Sequence, residues 1–262
     1  MSELEPQFLV VGRGDQARRI AYAQQRGDMP GIVWLQGFKS EMTSIKATAL
    51  ARWTSDAHLA YLRFDYSGHG MSEGQFEEGT VSLWLEEAIA VFEKLTEGSQ
   101  ILVGSSMGGY ISLLMLRHFM AHSPTAAKRI KQLVLIAPAW NMTHDLLWPR
   151  FPHEVKQEIL NKGIWNWPSR YGDVYPITKK LIEDGASKLI GTTPWNPERP
   201  VHVIHGRHDP DVPYAHSERL GKILQGSPFH ITEIPDGEHR LSRQKDLEVL
   251  LSVLSKALEC EA

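Results

Sequence analysis

Gly104-Ser105-Ser106-Met107-Gly108 is the stretch of this sequence best suited to chemistry. A serine with glycine two positions to either side suits a very sharp strand-to-helix turn. There the two backbones approach so closely that only small residues fit, and the serine hydroxyl is lifted clear. Gly104 and Gly108 fill those places around Ser106, whereas Ser105 would need glycines at 103 and 107, where Val103 and Met107 stand. Such a turn strains the serine backbone by roughly 1–3 kcal/mol. In return, the helix behind it presents N–H groups to developing negative charge. A Gly-Ser turn without chemical use is the bland alternative. The β-rich run Ile101 to Val103 before it and the helical period after it argue for chemistry.

A serine hydroxyl is a weak nucleophile without a base. After the run Val201 to Ile204 comes His205-Gly206-Arg207-His208-Asp209-Pro210-Asp211-Val212-Pro213. An acid at that strand end can orient an imidazole. Asp209 is the choice and Asp211 the rival. After the last β-rich run stands Pro235-Asp236-Gly237-Glu238-His239-Arg240, so His239 is the expected base. His205 and His208 lie near the site, but chain order disfavours them as bases. Two backbone N–H groups are expected to meet an oxyanion. One is that of Met107, directly after the serine; the other is that of Phe38, in Gln36-Gly37-Phe38-Lys39-Ser40. The loop Phe64-Asp65-Tyr66-Ser67-Gly68-His69-Gly70-Met71-Ser72 reads as structural packing beneath the site.

These groups need a rigid frame, and the pattern supplies one. Apolar β-rich runs (Phe8 to Val11, Arg19 to Ala23, Ile32 to Leu35, Leu59 to Phe64, Ile101 to Val103, Leu133 to Ile136, Val201 to Ile204, Phe229 to Ile234) alternate with segments of helical period. Ile45, Ala49 and Trp53 recur every four residues. Thr80 can cap a helix that buries Trp84, Ala88 and Phe92. Tyr110 to Phe119 and Leu241 to Leu258 complete the helices. The expected fold class is α/β: a mostly parallel eight-stranded sheet flanked by helices, with a helical cap inserted after the sixth strand. Residues 140–198 show no good strand signal and hold Trp140, Trp148, Trp165, Trp167 and Trp195, with Pro149, Pro152, Pro168 and Pro176. They read as a cap between core segments 1–139 and 199–262. Trp140, Trp165 and Trp167 are expected to line an apolar substrate pocket.

Composition fits this frame and narrows the partners. With 262 residues, 42% apolar, 23% charged and a net charge of -3, the chain can bury one substantial core. It offers no basic surface for nucleic acid or an anionic membrane. Cys260 is the single cysteine, so no intrachain disulfide is possible and a reducing compartment is compatible. No signal peptide is visible, and no apolar run approaches the roughly 18 residues of a membrane helix. The expectation is a soluble cytoplasmic protein; a mature organellar form would look the same.

The chain resembles the α/β-hydrolase superfamily over nearly its whole length. Within it, the sequence is similar to the depalmitoylase and acyl-glucuronide esterase subfamily of animal mitochondria. The carrying stretches are Arg63-Phe64-Asp65-Tyr66-Ser67-Gly68, Gln100-Ile101-Leu102-Val103-Gly104-Ser105-Ser106, and the cap stretches Lys162-Gly163-Ile164-Trp165 and Pro168-Ser169-Arg170-Tyr171. The resemblance implies a serine esterase or thioesterase acting on acyl groups, with no metal or other cofactor, and maps its triad onto Ser106, Asp209 and His239. Gln36 departs from the histidine many relatives carry before the glycine of the oxyanion loop. Alternatives are a non-catalytic binder of a small ligand, or a triad turned to amide or carbon–carbon cleavage.

Overall fold

The computed structural model describes residues 5–168, 172 and 174–259; Ser169, Arg170, Tyr171 and Cys260 lie outside them. Ten strands occur among the described residues: β1 Gln7–Val11, β2 Arg18–Gln25, β3 Asp28–Leu35, β4 Leu59–Phe64, β5 Gln100–Ser105, β6 Ile130–Ile136, β7 Ile164–Pro168, β8 Val174–Thr178, β9 Val201–Gly206 and β10 Phe229–Ile234. The helices are α1 Ile45–Asp56, α2 Val81–Leu95, α3 Met107–His122, α4 Pro124–Arg129, α5 His153–Lys162, α6 Lys179–Ala186, α7 Tyr214–Ile223 and α8 Gln244–Glu259. Eight strands form one sheet in the order β1-β2-β4-β3-β5-β6-β9-β10. Only the β1–β2 and β2–β4 pairs are antiparallel.

The alternation of side chains along the strands builds two core layers. Leu102, Leu133, Leu135 and Val203 face one way, onto Trp84 and Phe92 of α2, Tyr110 and Phe119 of α3, and Leu220 of α7. Ile101, Val103, Val134, Ile136 and Ile204 face the other, onto Leu50 of α1 and Leu250 and Leu254 of α8. Strands buried on both faces read as aliphatic runs, which is why the sheet is legible in sequence. Thr80 caps α2 as expected, its hydroxyl accepting the Leu83 N–H at 3.1 Å.

Register aligns the carboxyl ends. Leu35 pairs with Gly104, Ser105 with Ile136, and Gly206 with Ile234. The loops after β3, β5, β6, β9 and β10 therefore open on one edge, where open α/β sheets bind their ligands.

The segment between β6 and β9 corrects one expectation. It holds α5 and α6 but also the antiparallel hairpin β7–β8, so it is not purely helical. Pro168 and Pro176 argue against strands in sequence. A two-stranded ribbon consists of edges alone, where a missing N–H is tolerated. The segment packs on its own cluster of Phe151, Ile159 and Ile177, against which Phe38 of the core also packs.

Candidate active site

The turn after β5 sets the geometry. Ser106 has φ 53° and ψ -113°, a conformation ordinarily left to glycine. A Cβ on Gly104 would lie 2.5 Å from the Gly108 carbonyl oxygen, and one on Gly108 would lie 2.0 Å from that of Leu35. Both positions thus exclude side chains, as the spacing implied. Ser106 donates its N–H to Ile136 O at 2.8 Å, and its carbonyl accepts the Ala139 N–H at 3.0 Å, pinning the bend to the β6 end.

Three expected side chains meet in a line. Ser106 Oγ stands 3.0 Å from His239 Nε2, and His239 Nδ1 stands 2.7 Å from Asp209 Oδ2. With Nδ1–H donating to the carboxylate, the Nε2 lone pair faces the serine hydroxyl. The His239 side chain is 15% exposed, whereas that of Asp209 is fully buried. Burial pushes the Asp209 carboxyl up. Donors from His205 and His239, and the backbone N–H of Val212, outweigh it and hold the group well below the usual carboxylate range. Asp211 is not the partner: its own N–H donates to Asp209 Oδ1 at 2.8 Å.

The oxyanion side is built from backbone. Met107 begins α3, where N–H groups have no intrahelical acceptor. The Phe38 N–H has no protein acceptor among the described residues. Gly37 lets this loop approach the serine, since a Cβ there would lie 3.4 Å from Ser106 Cβ. The loop is held from below by the segment read as packing. His69 Nε2 accepts the Lys39 N–H at 3.1 Å, and Asp65 Oδ1 accepts the Met42 N–H at 2.6 Å. Burial lowers the His69 pKa to about 4, so the ring is neutral and can accept. Gln36, standing where relatives carry histidine, turns its amide to Ser40 O at 2.8 Å.

Two cavities meet at Ser106. One is a cleft of about 730 Å³ and the other a small apolar hollow of about 130 Å³, and Phe38, Ser106, Tyr175 and His239 line both. Met142, Leu146, Trp167 and Val212 furnish the hollow's apolar wall. Of the three expected tryptophans only Trp167 reaches it. Trp140 is turned inward, stacked on His216 at 4.4 Å between ring centroids, with its N–H bonded to His216 O. Trp165 packs against Phe151 instead. Tyr175 was not foreseen. Its signal is its place opposite Trp167 in the hairpin register. His205 lies near the site as expected and is not placed as the base; its Nε2 lies 3.2 Å from Asp209 Oδ2.

Asp209, Asp211 and His239 are also the group of potential metal ligands brought together among the described residues. Asp209 is already engaged by two imidazoles and two backbone donors, which leaves little for a cation.

A sheet that delivers a serine into a sharp turn, and returns an acid and an imidazole on later loops, is the architecture of the α/β-hydrolases. Within that class the chain belongs to the Hydrolase_4 family, described as serine aminopeptidase, S33, whose family model matches residues 31–184. It also belongs with the palmitoyl-protein thioesterases ABHD10: it is 32% identical to the mitochondrial Bos taurus protein, over 92% of this chain and 76% of that one. A solved putative hydrolase from Agrobacterium vitis S4 superposes with a TM-score of 0.93 at 35% identity, covering 98% of this chain and 99% of that chain. Mouse α/β-hydrolase domain-containing protein 10 gives 0.85 at 29% identity, covering 98% and 100%.

Proposed function

We propose that this protein hydrolyses carboxylic esters or thioesters through an acyl-Ser106 intermediate. The observation that carries this is the unbroken line from Ser106 Oγ through the His239 ring to Asp209 Oδ2, with contacts of 3.0 and 2.7 Å. The names of the curated relatives, palmitoyl-protein thioesterases, support an acyl donor of this kind.

In this reading His239 Nε2 takes the hydroxyl proton as Oγ adds to the substrate carbonyl. The tetrahedral oxyanion is met by the N–H groups of Phe38 and Met107. As the carbon–oxygen or carbon–sulfur bond to the leaving group breaks, His239 returns the proton to that group. A water then repeats the sequence and releases the acid. Asp209 keeps its charge throughout and stabilises the imidazolium. Nucleophile, base and donors all belong to the chain, so the reaction needs no cofactor. The acyl chain enters the hollow walled by Met142, Leu146 and Trp167, and residues 140–198 act as a cap on the core formed by 1–139 and 199–262. The family's description as serine aminopeptidase makes amide cleavage the second reading.

For the compartment, the single cysteine supports a reducing setting, cytoplasmic or, as in the names of the curated relatives, mitochondrial. No helix among the described residues is long and apolar enough to cross a membrane.

The test is a fluorophosphonate probe followed by a substrate panel. Ser106 is labelled in the wild-type protein and nothing is labelled in Ser106→Ala. p-Nitrophenyl esters and acyl thioesters are turned over faster than matched amides. A folded protein that takes no label overturns the reading, and a preference for amides moves it to the second.

A further inference from the structure

The larger cleft is more than an entrance to Ser106. It is lined by Ser106 and His239, by the Gly37–Ser40 loop and by the beginning of α1, and the part at α1 is built unlike the apolar hollow. Three donors there have no anionic partner within hydrogen-bond or ion-pair distance among the described residues. Trp34 is 1% exposed, and its indole N–H has no acceptor among the described residues. Ser44 stands at the N-cap of the twelve-residue helix α1 but makes no capping bond, and its Oγ is buried without a partner among the described residues. An N-cap serine ordinarily answers one of the first-turn N–H groups, so these are left for an outside acceptor. Lys46, in the first turn, is buried; its ammonium donates to Arg240 O and to Ser242 Oγ, the latter at 3.2 Å. None of the ion pairs within 4.0 Å among the described residues involves it. Burial, and after it the Arg240 charge, pull its pKa down to about 8, and Asp246 offsets only part of this.

The acids of the cleft do not answer these donors. Asp246 acts on Lys46 from beyond ion-pair distance and is itself bound to Arg243, as is Asp236; Glu238 is exposed beside His239. An indole N–H and an ammonium donate and cannot accept. A ligand that satisfies them must present acceptor oxygens, and a buried ammonium favours oxygens that carry negative charge. A helix N-terminus adds to the same preference.

We propose that the leaving-group arm of the substrate carries a carboxylate or phosphate, which seats at the start of α1 against Lys46, Ser44 and Trp34. The proposal rests on acyl transfer to Ser106 as set out above. The scissile carbonyl lies at the divide formed by Phe38, Ser106, Tyr175 and His239, with its acyl side in the apolar hollow and its anionic side in the cleft.

Three thioesters with one common acyl group test it: those of N-acetylcysteamine (neutral), mercaptopropionate (carboxylate) and phosphopantetheine (phosphate). One anionic thioester is expected to exceed the neutral one in kcat/KM by about tenfold, the effect of one charge-assisted contact. Which of the two wins identifies the anion. In Lys46→Met the ratio falls towards unity, and Lys46→Arg restores part of it. Trp34→Phe puts a smaller ring without an N–H in place of the indole and lowers the ratio two- to fivefold, which covers the case in which the lysine variant fails to fold. Equal kcat/KM for all three thioesters, or a ratio untouched by both Lys46→Met and Trp34→Phe, overturns the subsite. Calorimetric titration of the three compounds into Ser106→Ala separates this proposal from the hydrolase reading. Tighter binding of an anionic thioester, lost in the Lys46→Met double variant, supports the subsite even if the wild-type protein cleaves none of them. Equal binding of all three overturns it.

Discussion

His205 Nε2 lies 3.2 Å from Oδ2 of Asp209, the same carboxylate oxygen that His239 Nδ1 reaches at 2.7 Å. The His205 ring is itself fixed, with Nδ1 2.7 Å from Ser217 Oγ and Nε2 2.9 Å from Val212 O. Asp209 Oδ1 accepts the N–H groups of Asp211 and Val212, each at 2.8 Å. The carboxylate is therefore held ionised and in one orientation although it is buried. Under the proposed reaction that charge keeps the His239 proton on Nδ1. Asp209→Asn is expected to keep the fold and lose about 10⁴ in kcat, because the wrong tautomer is favoured. His205→Asn removes one orienting donor and costs about tenfold, the worth of one hydrogen bond in a barrier. Steady-state rates on a p-nitrophenyl ester check both. An Asp209→Asn enzyme of wild-type rate would move the acid to Asp211.

Acid should destabilise the protein through two neutral histidines. Burial lowers the pKa of both His69 and His216 to about 4. Each ring accepts a hydrogen bond that protonation would break, from the Lys39 N–H and from Arg219 Nη2 respectively. Between pH 6.5 and 4 the unfolded chain binds more protons at these sites than the folded one. Their contribution is thus complete above pH 6.5 and falls as pH drops to 4, by about 3 kcal/mol each. Asp65 and Glu87, whose pKa values burial raises, work in the opposite sense, so the comparison must be between variants. Urea unfolding of His69→Gln should start from lower stability at pH 7 and lose about 3 kcal/mol less than wild type on going to pH 4. Parallel pH profiles would contradict this.

The acyl hollow makes a prediction about chain length. Each buried methylene is worth about 0.8 kcal/mol, or roughly fourfold in kcat/KM. The hollow holds about 130 Å³, so the gain should stop after a few methylenes. Trp167→Ala should move that stopping point to longer acyl groups, whereas Trp140→Phe, at a site turned away from the hollow, should not. A series of p-nitrophenyl esters from acetate to decanoate reads this directly. A flat series in wild type would remove the hollow from the reaction.

The contrast between Trp140 and Trp167 shows where the sequence was legible and where it was not. Composition identified an aromatic-rich insertion, but it cannot say which way a ring faces. That depends on partners such as His216, more than seventy positions away. The sheet and Ser106 were legible because their signals are local: aliphatic runs, and glycines where backbones touch. The hairpin was hidden by its prolines. Helix α7 was hidden by Gly221, which is needed because a Cβ there would lie 2.6 Å from the Phe229 ring. Helix α8 begins at Gln244 rather than Leu241, because Leu241 stands at φ 42°, outside helical geometry. Asp209 could be chosen over Asp211 from chain position, whereas the His205 contact could not be foreseen, since it depends on how the loop folds back.

Strain at Ser106 can be measured apart from its chemistry. At φ 53° and ψ -113° a Cβ crowds the backbone, and neither Ser nor Ala escapes it. The bend persists because its N–H is bonded to Ile136 O, its carbonyl to the Ala139 and Gly109 N–H groups, and Gly104 and Gly108 let strand and helix meet. Removing the Cβ releases the roughly 1–3 kcal/mol such a conformation stores, less the 0.5–1 kcal/mol by which glycine loosens the unfolded chain. Ser106→Gly should therefore be more stable than Ser106→Ala by up to about 2.5 kcal/mol, a rise in Tm of up to about 10 °C for a domain of this size. Both variants lack the hydroxyl, so the difference between them reports the backbone alone. Thermal unfolding of the pair decides the point: a glycine variant less stable than the alanine variant by about 0.5–1 kcal/mol, glycine's cost in the unfolded chain, would mean that the turn stores no strain, and that the serine is exposed by strand and helix packing alone.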